Sequence, residues 1–108
     1  MLSGGVWKVA SYVDQDIDET ENYADYVLGF NENGRAFAEG AGNNYFGSWI
    51  AYRNEGLHLG LNFRTQNEPF SEFINRWKLN EITLNQVELK DYNSNGEIER
   101  ILILEKTQ

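Results

Sequence analysis

Leu57, Leu59, Leu61 and Phe63 alternate with His58, Gly60 and Asn62, and this two-residue period restricts the fold more than any other property of the chain. It places apolar side chains on one face of an extended strand and small or polar ones on the other, which helical geometry cannot do. The habit recurs. Trp7, Val9, Ser11 and Val13 oppose Lys8, Ala10 and Tyr12, and similar runs cover residues 26–30, 35–39, 45–52, 77–82, 86–92 and 99–106. Asn31-Glu32-Asn33-Gly34, Arg53-Asn54-Glu55-Gly56 and Asn93-Ser94-Asn95-Gly96 separate neighbouring runs, and an Asn-Gly pair supplies the positive φ that a tight hairpin needs. A slip of phase between Leu84 and Val87 puts a further turn at Asn85. Eight runs joined by hairpins predict an all-β fold, a small eight-stranded antiparallel up-and-down barrel in which the last strand pairs with the first and no edge is left open.

One segment changes period. Phe70, Phe73, Ile74 and Trp77 stand at the spacing of a single helical face, and Pro69 sits where a first helical turn tolerates proline. This predicts a short helix over residues 69–76, its aromatic stripe packed against one barrel opening and Glu72 and Arg76 paired on its outer side.

The 108 residues suffice for one domain with a single core. Seventeen acids against nine bases leave a formal charge of -8, which repels nucleic acid and anionic membrane surfaces. The absence of cysteine excludes disulfides, thiolate metal sites and cysteine nucleophiles. No apolar stretch approaches the ~18 residues of a helical membrane span, and Met1-Leu2-Ser3-Gly4-Gly5 has neither the basic nor the apolar region of a signal peptide. The expectation is a soluble domain taken from a longer exported protein, with neighbouring domains of that parent among its partners.

Gly5-Val6-Trp7 followed by Val9 is similar to the glycine-x-tryptophan signature that opens the first strand of lipocalins. The chain as a whole resembles the lipocalin-like domains of exported and lipoprotein-type proteins of Bacteroidetes. The matching features run in order: Gly5-x-Trp7 with an acidic loop and Thr20, residues 26–30 with Asn33-Gly34, and Gly47-Ser48-Trp49. Leu59-x-Leu61-x-Phe63, Pro69-Phe70 leading to Trp77, Val87-Glu88-Leu89-Lys90-Asp91 and Leu102-x-Leu104-x-Lys106 follow. The resemblance implies a calycin-type barrel in a periplasmic or cell-surface setting, and it brings no catalytic residue and no cofactor.

The residues themselves argue against catalysis. His58 is the only histidine and stands on the polar face of its strand, and no serine occupies a glycine-flanked nucleophile elbow. Two acidic segments, Asp14 to Glu19 and Asp91 to Ile98, place oxygen ligands as calcium loops do. Glu19 stands where such a loop needs glycine, and Leu102 where it needs a bidentate glutamate, so both read as solvated hairpin loops and no metal is expected.

Two function classes remain. An eight-stranded barrel is just wide enough to enclose one small apolar ligand. Its lining would come from Trp7, Phe30, Trp49, Leu59, Leu61, Phe63, Phe70, Phe73 and Trp77, with Gly29, Gly47 and Gly60 opening space. The alternative is an interaction or spacer module whose interior is plugged by its own aromatic rings, Phe37 included.

Overall fold

The computed structural model describes residues 5–40, 42–64 and 70–107. Alternating inward side chains build one continuous antiparallel sheet. Its strands are β1 (Val6–Asp14), β2 (Ile17–Asp18), β3 (Tyr26–Phe30), β4 (Arg35–Gly40), β5 (Asn43–Arg53), β6 (Leu57–Asn62), β7 (Asn75–Ile82), β8 (Gln86–Tyr92) and β9 (Ile98–Lys106). The order is β2-β1-β3-β4-β5-β6-β7-β8-β9, and β1 also pairs with β9 from Trp7↔Lys106 to Asp14↔Arg100. Eight long strands thus form the closed up-and-down barrel that the hairpin sequence predicts, with the two-residue β2 as an added arm.

The turns do more than the Asn-Gly pairs suggest. In both 31–34 and 93–96 the glycine amide returns to the first asparagine carbonyl at 3.0 Å, and only the glycine has positive φ, 85° at Gly34 and 82° at Gly96. Each is a type I turn ended by a left-handed glycine.

Two departures from the alternation have physical causes. β1 carries a bulge: Val9 pairs with Leu104 and Ser11 with Ile103, so Ala10 is the extra residue. The bulge inverts the phase of the strand. Trp7 and Val9 point inward as expected, but beyond the bulge Tyr12 is the fully buried residue and Ser11 and Val13 are only partly covered. The second departure is the segment 69–76. Its first residue lies outside the described residues, and the rest forms a single 3-10 turn, Phe70–Phe73, because Asn75 and Arg76 already pair with Leu61 and Gly60 in β7. Ile74 therefore leaves the stripe and is 38% exposed, while Phe70, Phe73 and Trp77 are buried.

β1 pairs with β3 only at Val6↔Gly29 and Trp7↔Leu28. Further along, β2 pairs with β1 at Val13 and Asp14, and a second 3-10 turn, Thr20–Tyr23, packs against β1. The backbone groups of Tyr12 that lose a β3 partner find local ones: its amide donates to Thr20 Oγ1 at 3.0 Å and its carbonyl accepts from the Glu19 amide at 2.8 Å. The seam stays satisfied without a ladder.

Candidate functional site

The interior is occupied. Trp7, Phe30, Leu59, Leu61, Phe63, Phe70, Phe73 and Trp77 are all buried, none more than 3% exposed, and Trp49 packs against them from a partly covered position. Phe70 meets the rings of Tyr23, Tyr26, Tyr45, Phe63 and Phe73 with centroids 4.9–5.5 Å apart. Tyr23 stacks on Phe73 at 4.4 Å, and Phe30 meets Trp49 edge-on at 5.8 Å. Side chains at these separations are in mutual contact.

The three glycines expected to open space do not open it inward. The Phe37 ring covers Gly29 so closely that an added Cβ would lie 2.1 Å from Phe37 Cε1. Phe37 is accordingly on the outer face, since its neighbours Ala36 and Ala38 are the buried ones, and it is no part of the core plug. At Gly47 the backbone of Asn62 and Phe63 crosses where a side chain would stand, with Asn62 O at 1.8 Å from an added Cβ. Gly60 faces outward beneath Ile50.

A polar cluster closes the end that carries Phe70–Phe73. Arg100 pairs with Asp91 at 2.8 Å, donates to the Glu72 carbonyl at 2.6 Å and lies over the Trp77 ring. The Tyr12 and Tyr23 hydroxyls each approach the Glu72 carboxylate at 3.5 Å, and one carboxylate oxygen each from Asp14, Glu19 and Glu72 lies within 4.8 Å of the others. Burial pushes the Tyr12 hydroxyl up to about 12, and burial followed by the Glu72 charge pushes Tyr23 well above the tyrosine range. Of the second acidic segment, Asp91 is committed to Arg100, and the Asn93 side chain accepts from the amides of Asn95 and Glu97 within its turn. His58 stacks on Tyr52 at 5.3 Å on the outer face.

A partly apolar concavity lies outside the barrel. A groove of about 640 Å³ runs across β5, β6 and β7, lined by Ser48, Trp49, Ile50, Gly60, Leu61, Asn62, Ile74, Asn75 and Arg76. The missing side chain at Gly60 makes its floor, and Ile50, 61% exposed, and Ile74 stand at its rim. Asn75 Nδ2 is buried there, and among the described residues it has no acceptor. Trp49 is held in the wall by its indole N–H, which donates to the Asn31 carbonyl at 2.8 Å. Of the residues expected to line a ligand site, the groove takes only Trp49 and Leu61. Ser48, Ile50, Gly60, Asn62, Ile74, Asn75 and Arg76 were not among them. The one signal for them in the sequence is Ile50, which shares the outer face of β5 with Phe46, Ser48 and Tyr52.

No family model matches the chain, and no curated protein matches it. Among solved structures it is similar to a DUF4847 family protein from Bacteroides vulgatus ATCC 8482, with a TM-score of 0.68 and 12% identity over 97% of this chain and 94% of that one. At that identity the likeness concerns the barrel fold.

Proposed function

We propose that this chain is a non-catalytic binding domain of lipocalin-like type. Its barrel interior serves as a filled support, and its outer groove across β5–β7 takes one small apolar molecule. The observation that carries the reading is the groove itself. About 640 Å³ lies within the usual range for a small-ligand site, and Ile50 and Ile74 present exposed apolar side chains to it beside the partly covered Trp49. The resemblance to exported lipocalin-like domains supports a periplasmic or cell-surface setting.

Uptake of an apolar fluorescent probe tests this. Gly60→Leu should fill the groove from its floor and abolish uptake, because Ile50 Cγ2 already lies 3.2 Å from the position of a Cβ there. Uptake that survives Gly60→Leu would place the probe elsewhere and end the proposal. The filled interior also supports the second reading, a spacer or interaction module without a ligand, and a wild-type domain that takes up no probe would favour it.

A further inference from the structure

We infer that the ligand of this face is an anionic amphiphile, whose carboxylate or phosphate head sits between Arg35 and Arg64 and whose apolar body lies in the β5–β7 groove. The inference rests on the proposed function for the apolar part and on separate observations for the head. A second concavity, about 410 Å³, is lined by Asn33, Gly34, Arg35, Ala36, Phe46, Gly47, Ser48 and Arg64, and it shares Ser48 with the first.

Strand register places the two side by side. Arg35 pairs with Ser48 and Ser48 with Asn62, making one row across the outer face, while Ile50 pairs with Gly60 and Gly60 with Arg76, making the next. Ser48 and Ile50 are two apart on one strand, so the rows are neighbours about 7 Å apart on the same face. Arginine therefore begins one row and isoleucine the other, with Arg76 closing the second, so a ligand whose head lies at Arg35 can lay its apolar body along Ile50 and Gly60.

Charge complementarity sets the sign. The chain has seventeen acids and nine bases, yet among the described residues no Asp or Glu lines either concavity, whereas Arg35, Arg64 and Arg76 do. The ion pairs among the described residues are Lys90–Glu88 and Arg100–Asp91, which leaves those three guanidinium groups without a carboxylate there. Guanidinium recognises carboxylate and phosphate by paired N–H donors. A net charge of -8 repels anions at long range, so the selectivity must come from these arginines locally.

Calorimetric titration with dodecanoate, dodecyl phosphate, dodecanol and inorganic phosphate, each below its micelle concentration, tests this. Wild-type protein should bind dodecanoate and dodecyl phosphate about tenfold more tightly than dodecanol, an advantage that added salt and the exposed-site double variant Arg35→Gln/Arg64→Gln should both remove. Inorganic phosphate should bind weakly, since it lacks the apolar body, and tight phosphate binding would overturn the amphiphile. Equal affinity for dodecanoate and dodecanol, or an advantage that the double variant keeps, would overturn the inference while leaving the apolar groove intact. Anion binding that the double variant abolishes but Gly60→Leu leaves alone would defeat the amphiphile and the groove reading together. Binding of none of the four would defeat both as well.

Discussion

The guanidinium of Arg100 lies 4.7 Å over the ring of Trp77 while its other donors reach Asp91 and the Glu72 carbonyl, so one side chain ties β9 to β8, to β7 and to the Phe70–Phe73 turn. The contact exploits the negative face of the indole, and the planar fork lets Arg100 bond carboxylate and carbonyl together. Replacing Arg100 by methionine keeps some bulk but strands the Asp91 carboxylate, which is only 21% exposed, and the Glu72 carbonyl. A loss of ~2–4 kcal/mol is expected in urea denaturation followed by tryptophan fluorescence. Arg100→Lys, which keeps the charge, should recover less than half of it. Full recovery would mean that charge alone matters and that the fork does not.

The buried tyrosines beside Glu72 give the domain an alkaline limit. The unfolded chain releases the Tyr12 proton near the ordinary value of 10.0, whereas the folded chain holds it to about 12, and Tyr23 is shifted in the same direction. In that window the unfolded state binds fewer protons than the folded one, so stability present below pH 10 is lost as the pH rises. The urea midpoint should fall steadily through the window, and Tyr12→Phe should make the fall shallower. A level midpoint across it would contradict the placement of both hydroxyls.

Much of this fold was legible because period-two runs and glycine-ended turns are local signals. Topology followed from their order. The bulge at Ala10 was not legible, because Val9, Ser11 and Val13 continue a perfectly regular pattern and only pairing with Leu104 and Ile103 reveals the extra residue. Ile74 misled for a related reason: helical spacing and ladder pairing competed for residues 74–77, and the ladder to β6 won. The glycines misled because space at a glycine belongs to whichever neighbour enters it, the Phe37 ring at Gly29 and the 62–63 backbone at Gly47. The groove was illegible in principle, since it joins outward residues of three strands whose registers no single run encodes.

Thr20 offers a sharp test of the β1–β3 seam. Its hydroxyl accepts from the Tyr12 amide at 3.0 Å and donates to Asp18 Oδ1 at 2.6 Å, standing in for a missing strand. Thr20→Val keeps the shape and removes both bonds, and about 1–2 kcal/mol should be lost because the amide of a buried residue goes unpaired. Thr20→Ser should stay close to wild type. Hydrogen exchange at the Tyr12 amide should accelerate in Thr20→Val, and unchanged protection there would show that β1 is held some other way.

The last prediction separates a site inside the barrel from one outside it. Phe73 stacks on Tyr23 at 4.4 Å and meets Tyr12, Phe70 and Trp77 edge-on at 5.2, 5.5 and 6.4 Å, with no part of it exposed. Phe73→Ala removes that ring from a packed cluster and should cost ~3–5 kcal/mol, the transfer loss plus the cavity left behind. A ligand held among the interior rings would change affinity in the same variant. A ligand in the groove lined by Ile50, Gly60 and Ile74 would not, because Phe73 is no part of that lining. Apolar probe affinity should therefore match wild type in Phe73→Ala under conditions where the variant is still folded, while the urea midpoint drops sharply. A shift in affinity together with the midpoint would return the binding site to the barrel interior.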